Sequence, residues 1–103
     1  MAGKMANARV VHCKKEPYDI YIGRPSKWGN PFVLGVHGDR DRVVELYEEW
    51  LLGIVSSPHG EVRPTLTEAR KELAGKVLGC WCKPHKCHGD VLLKFLNNNE
   101  EIK

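Results

Sequence analysis

The 103-residue sequence has little net charge and no long apolar run, and both absences narrow what the protein can be. A membrane span needs about 18 or more consecutive apolar residues, which this chain lacks, so we expect no membrane association. The first residues also lack the apolar stretch of a signal peptide, which predicts a cytoplasmic protein. A formal net charge of +3 without a polybasic arm argues against nucleic acid as a partner.

What is present suits one small folded domain. A hydrophobic content of 42% can fill a single core, and a charged content of 28% argues against disorder. We predict a flexible segment over 1–8, a single ligand-binding domain over 9–97 and a frayed tail over 98–103. In a reducing compartment the four cysteines are thiols, metal ligands or nucleophiles rather than disulfides.

Hydrophobic periodicity predicts the element order β-β-α-α-β-α. The predicted strands cover 8–14, 18–23 and 76–82. Apolar residues at helical spacing predict a first helix from Arg40, with the preceding Asp39 as its N-cap. A capping box at Thr65 predicts a second helix. A third helix is predicted to start at Asp90. Strands that feed helices indicate a small Rossmann-like α/β domain, with a mostly parallel sheet flanked by about three helices. A sheet with few strands has exposed edges, so we also expect a homodimer.

The segment GRPSKWGNPF, which follows the second predicted strand, has the residue types of an anion-binding loop. In open α/β sheets, ligands bind beyond the carboxyl ends of the strands. Arg24 and Lys27 supply cations for phosphate, and Trp28 supplies an aromatic face for a base or sugar. The alternative is a rigid surface loop whose Trp28 packs on the core. The ligand-binding residues expected in this loop are Gly23, Arg24, Ser26, Lys27, Trp28 and Asn30.

The second unusual stretch is GCWCKPHKCHGDVL, residues 79–92. On a strand, Cys80 and Cys82 point to one face and Trp81 to the other. The stretch then turns into the last helix, whose free N-terminal amides suit phosphate. We favour a pocket floor in which the strand cysteines are small buried residues. The ligand-binding residues expected here are Cys82, Lys83, His88, Gly89 and Asp90.

Two other interpretations of this stretch stay open. The side chains of Cys80, Cys82, Cys87 and His88 are ligand types that zinc prefers, but they are packed into nine residues, whereas structural zinc sites usually pair distant knuckles. We therefore predict no metal cofactor and keep zinc as the alternative. The other interpretation is a hydrolase of N-glycosidic or phosphoester bonds, with Cys87 as nucleophile or with His88 or Asp90 as general acid or base.

The two motifs, YIGRPSKWGNPF and GKVLGCWCKPHKCHGDVLL, resemble an uncharacterised domain family of phages and bacteria, catalogued as a domain of unknown function. The resemblance spans residues 9–97. It implies a link to the Rossmann-like SLOG superfamily, which is proposed to sense or process nucleotide-derived ligands. The P-G-G-x-G-T signature of that superfamily's glycosidases is absent, which favours binding over hydrolysis. By motif position the resemblance carries over to Gly23, Arg24, Ser26, Lys27, Trp28, Gly29, Asn30, Pro31, Cys80, Cys82, Cys87, His88, Gly89 and Asp90.

We therefore predict a protein that senses or sequesters a phosphorylated, nucleotide-derived small molecule such as an ADP-ribose derivative. If a phage encodes it, we expect it in the host cytoplasm. The alternatives are a nucleotide hydrolase and a zinc-dependent interaction module.

Overall fold

The computed structural model describes residues 7–97 of the chain. Most of the predicted flexible segment and all of the predicted frayed tail lie outside the described residues, since 1–6 and 98–103 are not described. Ala8 is described and is 3% exposed. The Asn97 side chain bonds both the N–H and the carbonyl of Ala8, each at 3.0 Å. These two bonds tie the beginning of the domain to its last helix.

A three-stranded parallel sheet lies at the centre of the fold. Its strands are β1 (Arg9–His12), β2 (Ile20–Tyr21) and β3 (Val77–Cys80). The order across the sheet is β1-β3-β2, and Leu78 is paired with both Val10 and Ile20. The prediction of a small α/β domain with a parallel sheet is confirmed. The first strand is shorter than predicted because a turn, closed by the Lys15 N–H on the His12 carbonyl at 3.0 Å, ends it at His12.

The connection between β1 and β2, residues 13–19, passes from one side of β3 to the other without a helix. It packs closely on β3, because a Cβ at Gly79 would stand 2.6 Å from Cγ of Tyr18. Asp19 fastens the connection: its N–H donates to the Val77 carbonyl at 2.7 Å, and its carboxylate accepts the Val77 N–H at 2.8 Å. A side chain at position 79 would displace the Tyr18 ring and this connection.

The helices are α1 (Arg40–Leu51), α2 (Leu66–Leu73) and α3 (His88–Asn97). Both predicted N-caps are confirmed: the Asp39 carboxylate accepts the Arg42 N–H at 2.9 Å, and Thr65 forms a capping box with Glu68. The last helix begins at His88, two residues earlier than the predicted start at Asp90. Among the described residues, no helix combines the length and the apolar content that crossing a membrane requires.

One hydrophobic cluster joins the three helices to the sheet. Its members include Ile22, Leu78, Val43, Tyr47, Trp50, Leu73, Leu92 and Leu96. The start of α3 lies close against the strands, because a Cβ at Gly89 would stand 2.9 Å from side-chain carbons of both Ile22 and Val10. The fold therefore holds the first turn of α3 beside the chain that leaves β2.

Candidate functional site

The two segments that carry the sequence motifs meet at the carboxyl ends of β2 and β3. We call them the β2–α1 loop (residues 22–39) and the β3–α3 loop (residues 81–87). Together with the end of β2 and the start of α3, they enclose a cavity of about 300 Å³, which we call the strand-end cavity. Its lining residues are Tyr21, Gly23, Arg24, Asn30, Trp81, Cys82 and His88. All but Tyr21 and Trp81 are residues that the sequence singled out for ligand binding.

Tyr21 and Trp81 form an aromatic wall of this cavity. The Trp81 indole N–H donates to the Tyr21 hydroxyl at 2.8 Å, and that hydroxyl donates to the Arg24 carbonyl at 3.1 Å. Trp81 is 55% exposed, and the ammonium of Lys14 lies 5.6 Å from its ring centroid. Sequence reasoning gave neither aromatic residue a role. The available signal was their position at or just beyond the carboxyl ends of two predicted strands.

Arg24 and Lys27, the two cations expected to hold phosphate, have different surroundings. The Lys27 ammonium lies 3.0 Å from a Glu72 carboxylate oxygen and 3.6 Å from one of Glu68. The hydrogen bond to Glu72 raises the pKa of Lys27, so the ammonium stays protonated and paired. Within residues 7–97, no carboxylate lies within 4.0 Å of the Arg24 guanidinium. Of these two cations, Arg24 is therefore the one that no carboxylate of residues 7–97 pairs with.

Ser26 and Lys27 line a second cavity, of about 510 Å³, rather than the strand-end cavity. Arg24 lines both, so it stands at the boundary between them. The Ser26 hydroxyl also accepts the Trp28 N–H at 3.3 Å. The structure thus divides the predicted loop residues between two neighbouring cavities that share one arginine.

Trp28 and Asn30 fasten the β2–α1 loop to the core. Trp28 is 4% exposed, and its carbonyl accepts the Tyr47 hydroxyl at 2.6 Å. Burial raises the pKa of Tyr47, which keeps the hydroxyl protonated as a donor. The Asn30 amide donates to the Val43 carbonyl at 3.0 Å and accepts the Phe32 N–H at 2.9 Å. Of the two interpretations of Trp28, the structure places its ring in the packed core.

Three sulfur atoms gather behind the strand-end cavity. The Sγ atoms of Cys80, Cys82 and Cys87 all lie within 4.8 Å of one another, and those of Cys80 and Cys87 are 3.0 Å apart. Cys80 and Cys87 are fully buried, whereas Cys82 is half-buried and lines the cavity. We call these residues the sulfur cluster. All of them are free cysteines.

His88 lies between the sulfur cluster and the β2–α1 loop. Its Nε2 is 2.8 Å from the Ile22 carbonyl oxygen, which can only accept, so Nε2 carries the proton. In this neutral tautomer Nδ1 is the acceptor, and it lies 3.8 Å from the Cys87 sulfur. The ring also meets Tyr47 edge to face, with centroids 4.9 Å apart. These contacts fix both the orientation and the tautomer of the imidazole.

Hydrogen bonds within the sulfur cluster separate the pKa values of its thiols. Bonds from Cys80 and then from Cys87 hold the pKa of Cys82 well below its ordinary value. The bonds to Cys80 and Cys82, together with burial, raise the pKa of Cys87. The bond to Cys82 likewise raises the pKa of Cys80. The cluster therefore favours a thiolate at Cys82, the sulfur nearest the cavity.

The first turn of α3 satisfies its own polar groups. The Cys87 sulfur accepts the Gly89 N–H at 3.2 Å, and the Asp90 carboxylate accepts the Cys87 N–H at 3.1 Å. This exchange resembles a capping box with Cys87 as N-cap, which explains why α3 begins at His88. The other Asp90 oxygen lies 3.0 Å from the Lys83 ammonium. Gly89, Asp90 and Lys83 thus make contacts that fix the helix start.

Comparison with known proteins matches the chain to one family model and to two viral proteins. The family described as "Domain of unknown function (DUF4326)" matches residues 6–98. The chain is 38% identical over 90 residues to an uncharacterised 12.4 kDa protein from the nrdA-td intergenic region of Enterobacteria phage T4, covering 86% of this chain and 77% of the phage protein. It is 34% identical over 95 residues to an uncharacterised protein of Acanthamoeba polyphaga mimivirus, covering 75% of this chain and 65% of that protein. No solved structure matches the chain.

Proposed function

The chain belongs to the DUF4326 family, and we propose that it binds a phosphorylated, nucleotide-derived small molecule in the strand-end cavity. The observation that carries this proposal is that Arg24, which has no carboxylate partner among residues 7–97, lines the same cavity as the aromatic wall of Tyr21 and Trp81. A guanidinium binds phosphate through two parallel hydrogen bonds, and an exposed indole provides a surface on which a base can stack. A nucleotide carries a phosphate and a base a few ångströms apart.

The size of the two cavities supports a ligand with two halves. Small-molecule sites typically have volumes of about 300–1,000 Å³. The strand-end cavity measures about 300 Å³ and its neighbour about 510 Å³, and Arg24 lines both. We therefore place a diphosphate at Arg24, the base against Trp81 and the second sugar in the larger cavity. An ADP-ribose-like molecule has this layout.

The surroundings of the acid and base candidates favour binding over turnover. Each Asp90 oxygen accepts a contact within the chain, one from Lys83 and one from the Cys87 N–H. The Nε2 of His88 is bonded to the Ile22 carbonyl. Because the contacts of Asp90 and His88 fix the start of α3, these residues would form a rigid wall of the cavity around a bound ligand. The protein would then sense or sequester its ligand.

Calorimetric titration with ADP-ribose, NAD and a cyclic nucleotide tests this proposal. We expect saturable binding of ADP-ribose by the natural protein and a loss of tenfold or more in Arg24→Gln, since a hydrogen bond to a charged group contributes about 1.5–3 kcal/mol. Arg70→Gln, which changes an exposed arginine on α2 outside both cavities, is the matched control and should bind like the natural protein. Absence of binding to all three ligands, or an equal loss in both variants, contradicts the proposal.

A further inference from the structure

We propose that the sulfur cluster and His88 form a tetrahedral zinc site that closes the junction between β3 and α3. The ligands are the sulfurs of Cys80, Cys82 and Cys87 and the Nδ1 of His88. This site goes beyond the proposed ligand binding and does not depend on it. With four protein ligands the coordination shell is complete, which is the arrangement of structural rather than catalytic zinc.

The spacing of the sulfurs fits one metal ion. Zinc holds thiolate sulfurs at about 2.3 Å in a tetrahedral array, which sets neighbouring sulfurs about 3.8 Å apart. The three sulfurs lie within 4.8 Å of one another, and the shortest separation, between Cys80 and Cys87, is 3.0 Å. The zinc value falls between the shortest separation and this upper bound, so small side-chain shifts suffice. A separation of 3.0 Å also exceeds the length of a disulfide bond, about 2.05 Å.

His88 is prepared as the fourth ligand. A metal-bound histidine usually donates its second ring N–H to a carbonyl or carboxylate, which leaves the other nitrogen free for the metal. Here the Ile22 carbonyl lies 2.8 Å from Nε2, and Nδ1 points to the cluster at 3.8 Å from the Cys87 sulfur. The imidazole therefore needs neither a rotation nor a change of tautomer to ligate. Binding of Zn²⁺ releases only thiol protons to the solvent.

The backbone around the cluster is also arranged to hold it. Cys80 is the last residue of β3 and His88 the first of α3, so two ligands lie on regular elements. The Gly89 N–H donates to the Cys87 sulfur at 3.2 Å, an outer-shell bond of the kind that orients a metal ligand. In the loop between β3 and α3, the His85 N–H donates to the Cys82 carbonyl at 2.7 Å and closes a turn. The metal would thus fix the wall of the strand-end cavity that Cys82 and His88 provide.

Metal analysis of the purified full chain tests the site. We expect one equivalent of Zn²⁺ per chain, and substitution by Co²⁺ should give the visible absorption of tetrahedral thiolate coordination. Cys82→Ser, at the half-buried ligand, should weaken Zn²⁺ binding by about tenfold or more, a loss that even outer-shell changes can cause. Cys13→Ser is the matched control, because among the described residues Cys13 lies outside the cluster, and it should keep the metal and the spectrum.

The outcomes separate this site from the proposed ligand binding. No stoichiometric Zn²⁺ and no thiolate–Co²⁺ spectrum in the natural protein would overturn the zinc site, as would a Cys80–Cys87 disulfide found by mass spectrometry of the freshly purified protein. Because that result comes from the natural protein, it stands even where a variant fails to fold. Arg24→Gln should keep its Zn²⁺. If this variant loses ADP-ribose binding and retains the metal, the result concerns the nucleotide site alone.

Discussion

Two tryptophans follow two neighbouring parallel strands, and the fold uses them in opposite ways. Trp28 in the β2–α1 loop is 4% exposed, whereas Trp81 in the β3–α3 loop is 55% exposed. The first loop runs between the sheet and α1, where Tyr47 and Asn30 fasten it to the core. The second turns at once into α3, and its tryptophan projects over the strand end. The same residue type in two neighbouring strand-end loops therefore packs in the core in one loop and forms a cavity wall in the other.

The comparison also separates the cations of the two loops. Lys27 is bound to Glu68 and Glu72 of α2, so its charge stabilises the attachment of the β2–α1 loop. Lys83 is bound to Asp90 and stabilises the start of α3. Arg24 stands at the boundary of both cavities without such a partner among residues 7–97. A basic residue in a motif indicates an anion site only where the fold leaves its charge unpaired.

The largest expected effect comes from truncating Trp28, with the same truncation of Trp81 as its comparison. Trp28→Ala should lower the free energy of unfolding by about 3–5 kcal/mol, because it empties a packed position in the core. Trp81→Ala should lower it by about 1 kcal/mol or less, since more than half of that side chain is exposed. Urea denaturation of both variants measures the difference. Equal losses of stability would contradict the assignment of Trp28 to packing and Trp81 to the cavity wall.

A smaller effect is expected at the hydroxyl that fastens the β2–α1 loop. Tyr47→Phe removes the donor to the Trp28 carbonyl and leaves that buried acceptor unpaired, which should cost about 1–3 kcal/mol of stability. Tyr18→Phe is the matched control, because Tyr18 is 42% exposed. The same urea denaturation compares the two. If Tyr47→Phe is as stable as Tyr18→Phe, the hydroxyl does not anchor the loop.

The smallest effect concerns Glu68, which caps α2 and pairs with Lys27. The Thr65 N–H, followed by Lys27, lowers the pKa of Glu68 below its ordinary value of 4.5. A lowered folded-state pKa stabilises the protein above the unfolded-state pKa, and this contribution is lost as the pH falls through the folded-state value. Glu68→Gln does not titrate, so its stability deficit should be present at neutral pH and vanish well below pH 4.5. An identical deficit at both pH values, measured by urea denaturation, contradicts this linkage.

Local rules accounted for the elements of the fold and for the meeting of the two loops that carry the motifs. Asp39 and Thr65 cap helices as expected, because a cap depends on residues within one turn of it. The convergence of the two loops also followed, since neighbouring parallel strands end at the same edge of a sheet. The predicted start of α3 was two residues late, because Cys87 is a rarer N-cap than the residue types on which such predictions rest.

The sequence by itself determined the α/β class, the element order and the two loops that meet, because hydrophobic periodicity and caps are short-range properties. Only the tertiary structure decided which tryptophan is buried, which loop cation lacks a carboxylate partner among residues 7–97 and which atoms surround His88. Each of these depends on residues far apart in the chain: Lys27 meets Glu72, and His88 meets Ile22. Such contacts form when elements pack, so no local pattern records them. The three sulfurs, in contrast, are close in the sequence, and the turn between β3 and α3 brings them together.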